Sequence, residues 1–301
     1  MTAYRSFLFT PGNHPRRVEK VFVSGADAAI LDLEDAVAVT EKPAARAAVV
    51  AALQRPRNCG GYVRVNAMDT PFAYGDFAAV VGPGIDGIIL PKVNAGWQLK
   101  AADWLLSELE RQAGLPIGKI DLIPIIETGE GMANLQRIAQ SRTRTRRMAF
   151  GAGDFTLDVG MAWTTDESEL DPYRAQMVVQ SRAAGLEAPL DTVWVELSNA
   201  EGLDESAQRA ARIGFQGKMC IHPNQIDTVN RRFTPSATEI ARAEKIMAAF
   251  DRAEAEGSAS IQVDGAFVDY PIVAKARRVL DLVRQINGIG SGPTGGASLA
   301  E

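Results

Sequence analysis

Histidine and cysteine are almost missing from this chain. His14 and His222 are its two histidines, which excludes a three-histidine zinc site. Cys59 and Cys220 are its two cysteines, too few for a disulfide framework; they read as a loop cysteine and a buried strand cysteine. No apolar run approaches the ~20 residues that span a bilayer. The N-terminal residues lack a basic stretch followed by a long apolar one, so a cytoplasmic protein is expected. Net positive charge is absent as well. The balance of -5 argues against nonspecific binding to nucleic acid or an anionic membrane, while leaving room for a local basic pocket facing an anionic substrate. No Pro/Gly/Ser-rich linker divides the first 235 residues, which favours one domain there over two.

What is present is a repeated alternation. Eight short apolar segments end on or near a polar or charged residue, and helix-like stretches separate them. They are Phe7–Phe9, Ala29–Leu31, Tyr62–Val65, Gly87–Leu90, Leu122–Ile126, Met148–Phe150, Val193–Val195 and Met219–Ile221. Near-continuous apolar runs suit parallel strands buried on both faces. The expected fold is α/β, a (β/α)8 TIM barrel over residues 1–235, whose C-terminal strand ends form the active-site face. Asn13 is the expected cap of the first helix, with Pro15 in its first turn. Beyond Pro235 the pattern changes. Ser236 with Glu239 makes a capping box for a long helix, and a Gly-containing turn leads to a last helix near Ile272–Ile286. Residues 236–286 are therefore expected to form a C-terminal helical lid extension. The Gly/Ser-rich tail 287–301 is expected to be disordered, and its Gly288, Gly290 and Gly292 are no phosphate loop because no helix follows.

The polar strand ends carry the candidate chemistry. Glu127 and Asp154 end strands five and six, so their carboxylates converge; two hard oxygen ligands suit Mg2+, with helix capping the alternative. Gly153 beside Asp154 allows close backbone approach. Glu34 and Asp35 follow strand two and read either as holders of metal-bound water and orienters of Arg64, or as a structural salt bridge. Asp32 points to the alternate face and ranks below them. Arg64 lies inside a strand, where an arginine must be paired or face a ligand; its planar fork suits a carboxylate or a thioester oxygen gaining charge. Lys42 and Arg46 lie one turn apart, and Lys92 ends strand four. Each alone is an ordinary surface charge. Together with the Thr10-Pro11-Gly12 turn they are suited to cradle a polyphosphate. Asp269 is either a helix cap or an acid/base on a mobile lid. His222 reads as structural or substrate-shaping.

These stretches resemble the citrate lyase beta-subunit-like group of the HpcH/HpaI aldolase superfamily. The matching motifs are Phe9-Thr10-Pro11-Gly12-Asn13, Ile30 to Val37, Lys42 with Arg46, Arg64-Val65-Asn66, Leu90-Pro91-Lys92, Ile126-Glu127-Thr128, Gly151 to Phe155, Gly217-Lys218 and Ile221-His222-Pro223. The resemblance implies an Mg2+-dependent lyase, with Mn2+ an alternative, that splits a 3-hydroxyacyl-CoA thioester into an acyl-CoA and a 2-oxo acid. It implies Glu127 and Asp154 as metal ligands, Arg64 as the substrate arginine, and Thr10, Pro11, Gly12, Lys42, Arg46 and Lys92 in the CoA region. Asp269 matches a lid acid that reaches an adjacent subunit of a homotrimer or hexamer. The chain departs from the pattern at Gly153 and at Ser198-Asn199-Ala200, which bears on the preferred substrate. Two alternatives share the pocket: a malyl-CoA-type thioesterase, and a citrate lyase beta subunit fed by a carrier protein, against which the long appendage argues.

Overall fold

A computed structural model describes residues 3–258 and 260–288. Contacts divide the chain into two units, one spanning Arg5–Phe233 and the other running from Thr234 onward with the residues before Arg5.

The first unit begins β1 (Ser6–Pro11), α1 (Pro15–Val21), β2 (Ala28–Asp32), α2 (Lys42–Leu53), β3 (Gly60–Arg64), α3 (Ala73–Val80), β4 (Gly87–Leu90) and α4 (Gly96–Gln112). It continues β5 (Asp121–Ile126), α5 (Gly129–Ala133), α6 (Leu135–Ala139), β6 (Ala149–Phe150), α7 (Ala152–Val159), α8 (Asp171–Ala183), β7 (Leu190–Asp191), α9 (Ala200–Ile213), β8 (Gly217–Cys220) and α10 (Ile226–Arg232). The eight strands pair in sequence order, all parallel, and β1 pairs with β8 to close the barrel. Burial on both faces explains why every residue of β2 and β4 is buried.

Alternate strands build the barrel's interior layers. Phe7 of β1 meets Tyr62 of β3 edge to face at 5.1 Å, and the Tyr62 hydroxyl donates to Asp121 of β5 at 3.2 Å. Side chains alternate along a strand, so a step of two residues reaches the next layer toward the C-terminal ends. That step converts Phe7 and Tyr62 into Phe9 and Arg64, which places Arg64 at the mouth.

Seven of the eight expected strands overlap the observed ones. The exception is strand seven, expected at Val193–Val195 and found at Leu190–Asp191, where Leu190 pairs with Ala149 and Asp191 with Lys218. The apolar trio misleads because the true strand ends in a charged residue. Asp191 is fully buried and accepts from Arg174 Nε at 2.8 Å and Lys218 Nζ at 2.6 Å. Trp194 instead buries its ring while its indole N–H donates to the carbonyls of Glu196 and Asn199. The cap of α1 also differs: His14 stands at the N-cap without a side-chain bond, and Asn13 donates to Glu41 at 2.6 Å.

The second unit pairs α11 (Ala237–Ala255) with a hairpin of β9 (Ile261–Val263) and β10 (Ala266–Val268), then α12 (Tyr270–Asn287). Ser236 and Glu239 form the expected capping box. The hairpin was not expected, because three-residue strands are too short to show alternation. Its turn residues Asp264 and Gly265 both have positive φ, the conformation that tight hairpins favour. Ile246, Phe250, Val263, Val268 and Val273 form this unit's own core. The tail expected to be disordered lies, from residue 289, outside the described residues. Among the described residues no helix is long and apolar enough to cross a membrane.

Candidate active site

Arg64 closes β3 and organises the barrel's mouth. Its Nε and one terminal nitrogen donate to the two oxygens of Asp32 at 2.7 and 2.6 Å. The other terminal nitrogen lies 2.9 Å from Glu34 and 3.6 Å from Asp35. The guanidinium stacks over Phe9, 4.8 Å from the ring centroid. Asp32 therefore does not point away from the site. It pairs in register with Arg64, so the two side chains share a face of the sheet. Backbone N–H groups of Glu34 and Ala36 complete its shell at 2.9 and 3.1 Å. Burial alone would raise the Asp32 pKa, but Arg64 and these N–H groups outweigh it and hold it below the usual carboxylate range.

Glu127 follows β5 directly and is buried. Its Oε1 accepts the Lys92 backbone N–H at 2.8 Å. Burial and then the Glu34 carboxylate push its pKa up to about 8, with Asp154 adding to the rise and Arg64 opposing it. Burial also raises Glu34, in spite of Arg64 and Lys92. Neither ligand candidate serves as a helix cap. Thr128 caps α5 by accepting from Gly131 N–H, and Asp154 sits within the first turn of α7, four residues past β6. The glycine that this arrangement needs is Gly151, where a Cβ would stand 2.5 Å from Glu127 Oε2. At Gly153 a Cβ would meet only Trp163 at 3.5 Å, an ordinary contact, so close packing does not require glycine there.

Five carboxyls, those of Asp32, Glu34, Asp35, Glu127 and Asp154, thus gather around two cations, Arg64 and Lys92. The excess of negative charge, and the cost it imposes on ionising Glu127, fit a site that takes a divalent cation. Among the described residues no three carboxylate, thiol or imidazole groups form a closed cage. Two carboxylates with open positions suit Mg2+, which retains water and accepts substrate oxygens.

The remaining candidates are not free surface charges. Lys42 is buried and its Nζ donates to the carbonyls of Leu33 and Glu34 at 2.9 and 2.6 Å. Arg46 donates to Asp76 at 2.7 Å and to the Phe72 carbonyl at 3.0 Å. Asp76, fully buried, also accepts from Asn66, whose side chain donates to the Leu33 carbonyl. Both cations thus brace the segment after β2 that carries Glu34 and Asp35. Gly12 N–H donates to the Asp32 carbonyl at 2.8 Å, tying the Thr10-Pro11-Gly12 turn to β2. His222 caps the turn after β8, its Nδ1 accepting from Asn224 N–H at 3.2 Å. In the second unit, Asp269 caps α12, accepting from Ile272 N–H at 3.3 Å. Asn199, in the departing Ser198-Asn199-Ala200 stretch, caps α9 through Gly202 N–H. Burial pushes the thiols of Cys59 and Cys220 up to about 11 and about 12, which leaves neither a nucleophile at neutral pH.

Residues 5–223 match the HpcH/HpaI aldolase/citrate lyase family. The chain belongs to that family. It is 37% identical to citrate lyase subunit beta of Leuconostoc mesenteroides subsp. cremoris, with 92% of each chain covered. It is 36% identical to L-malyl-CoA/beta-methylmalyl-CoA lyase of Rhodobacter capsulatus, covering 93% of this chain and 94% of the other. Among solved structures it resembles protein CitE from Mycobacterium tuberculosis in complex with magnesium, acetoacetate and coenzyme A: TM-score 0.75, 30% identity, 93% and 98% coverage. This HpcH/HpaI protein is accordingly a lyase with the family's barrel and C-terminal helical extension. The citrate lyase match covers too much of both chains to omit the appendage. The appendage therefore does not set this chain apart from a citrate lyase subunit beta. The partners absent from the sequence reading are Asp32 as the Arg64 clamp, the Phe9 ring beneath it, and Asp76. For Asp32 the signal was available, since Asp32 and Glu34 are two residues apart and share strand parity.

Proposed function

We propose that this protein is an Mg2+-dependent carbon-carbon lyase acting on a 3-hydroxyacyl-CoA thioester such as citryl-CoA, malyl-CoA or citramalyl-CoA. The products are an acyl-CoA and a 2-oxo acid, and the reverse condensation uses the same groups. The observation that carries this reading is Arg64, locked by Asp32 through two donors so that its third faces the acid cluster around Glu127. The relatives named for citrate lyase and malyl-CoA lyase, and the solved relative with magnesium, acetoacetate and coenzyme A, support the substrate class.

Glu127 and Asp154 would hold the metal. Bound there, Mg2+ supplies Lewis acidity toward the substrate's hydroxyl and carboxylate oxygens. Asp269 of an adjacent subunit accepts the hydroxyl proton, the role that the family resemblance assigns to it. The carbon-carbon bond then breaks and its electron pair passes into the thioester, making an enolate that is subsequently protonated. Arg64 stabilises that enolate oxygen through the nitrogen that Asp32 leaves unoccupied. Preorganised donors of this kind are worth ~10²–10³ in rate. Asp32 and Phe9 fix the fork before substrate arrives, so little reorganisation remains for the reaction. Thr10, Pro11, Gly12, Lys42, Arg46 and Lys92 form the CoA side of the mouth in this proposal, and the assembly is a homotrimer or hexamer.

A product assay with purified protein, Mg2+ and a panel of citryl-, malyl- and citramalyl-CoA tests the reading. A 2-oxo acid and acetyl-CoA appearing together, and vanishing on chelation, are expected. Free CoA without a 2-oxo acid would instead identify a thioesterase. The 37% identity to a citrate lyase beta subunit favours a second reading, a carrier-protein substrate. Turnover of a citryl-carrier protein with no turnover of free CoA thioesters would establish it.

A further inference from the structure

Lys92 is held in the mouth by two different parts of itself. Its backbone takes the left-handed region, φ 51°, which is disfavoured for a residue with a Cβ. That turn lets its N–H donate to Glu127 at 2.8 Å. Its ammonium donates to Glu34 at 2.7 Å and lies 3.7 Å from Asp35 and 3.9 Å from Asp154. The amide thus fixes one proposed metal ligand while the ammonium rests against the other. Among the described residues, Lys92 is the one cation within ion-pair distance of Asp154.

The two cations of the mouth differ in freedom. Arg64 is clamped by Asp32 through two short bonds and is largely buried. The Lys92 side chain is 37% exposed and ends in a point charge on a flexible four-carbon stem. A divalent ion brought to Asp154 repels a neighbouring ammonium, and only Lys92 can move aside. Its amide bond to Glu127 does not depend on where the ammonium goes.

We infer that the Lys92 ammonium is a built-in substitute for the divalent cation, holding Glu34, Asp35 and Asp154 in place until the metal displaces it from Asp154. This rests on the reading of Glu127 and Asp154 as metal ligands. The exchange keeps the acid cluster ordered in the metal-free protein. It weakens the metal by the work of moving the lysine. It also loosens the lysine, which loses one of its three carboxylate neighbours at the mouth, where an anionic substrate arrives.

Mg2+ titration calorimetry on the full-length protein and on Lys92→Met tests this, because methionine keeps the amide and an unbranched stem. The variant should bind Mg2+ roughly fivefold more tightly, about the size of a partly exposed ion pair. In the wild type, acetylation of Lys92 by an N-hydroxysuccinimide ester, read by peptide mass spectrometry against exposed Lys275, should rise several-fold when Mg2+ is added. Equal or weaker Mg2+ binding by a folded Lys92→Met would overturn the inference. So would wild-type Lys92 labelling unchanged by Mg2+, a measurement that stands even when the variant does not fold. Failure of the wild type to bind Mg2+ at all would overturn the metal reading itself, and with it the inference.

Discussion

Asp32→Asn probes the contact that prepares Arg64. The substitution keeps size and shape but converts one carboxylate oxygen into an amide nitrogen. Asp32 Oδ1 accepts from Arg64 Nε and the Glu34 N–H, and Oδ2 accepts from an Arg64 terminal nitrogen and the Ala36 N–H. Either orientation of the asparagine leaves two donors facing a donor. One of those is a guanidinium N–H, and hydrogen bonds to charged groups are worth about 1.5–3 kcal/mol. The other is a backbone bond of about 1 kcal/mol. Loss of stability by about 3 kcal/mol is expected, close to the lower end for breaking a buried ion pair, since Glu34 still partners Arg64. The guanidinium also loses its second anchor, and misplacement of a reacting group by about 1 Å costs on the order of 10²-fold in rate. Urea unfolding followed by circular dichroism measures the first quantity; kcat on the thioester identified by the product assay measures the second. The effects of Asp32→Asn and Arg64→Ala on kcat should be far from additive, because both act through one guanidinium. A variant with wild-type kcat and less than about 1 kcal/mol of lost stability would refute the reasoning.

Arg64→Ala should lower turnover by ~10²–10³ while CoA binding, measured by calorimetry, changes little; equal turnover removes the proposed role. Asp269→Asn should slow the chemical step while the circular dichroism spectrum stays that of a folded protein, and a normal rate would leave Asp269 as a helix cap only. Glu127 has its pKa raised by burial to about 8. Its protonated form is favoured by the fold, so its contribution is full below the unfolded value near 4.5 and is lost as pH rises through about 8. Glu127→Gln should remove that loss, so in metal-free buffer its melting temperature should decline less between pH 5 and 8 than that of the wild type; parallel curves would contradict it. Asp191 is held below the usual carboxylate range: burial opposes ionisation, and Arg174 and Lys218 overcome it. Its contribution is present above the unfolded pKa and lost as pH falls through the depressed folded value. Asp191→Asn should therefore cost about 3–5 kcal/mol at neutral pH and much less near pH 2, compared by urea unfolding at the two pH values.

The barrel was legible because its signal is local and repeated. Buried parallel strands need unbroken apolar runs, and the runs at Gly87–Leu90 and Leu122–Ile126 coincide with or lie within β4 and β5. Where a strand buries charge, the signal fails. Leu190–Asp191 is a strand because Arg174 and Lys218, 17 residues before and 27 residues after Asp191, neutralise the aspartate. No window of the sequence around β7 contains both partners. The rim lysine and arginine show the same limit. Lys42 and Arg46 have the spacing of solvated helix charges, yet their acceptors, the Leu33 and Glu34 carbonyls and Asp76, come from other elements that pack over them.

The sequence by itself determined the eightfold alternation, the residue types at the strand ends, and the capping box of α11, since each depends on neighbours a few positions apart. The tertiary structure alone decided which acids are ion-paired, which is pushed toward neutrality, and which cation can move. Arg64 is locked and Lys92 is held more loosely through contacts with Asp32, Glu34, Asp35 and Asp154, drawn from two different stretches of chain. Charge depends on distance and burial. Both are set only when the barrel closes and brings those stretches to one mouth.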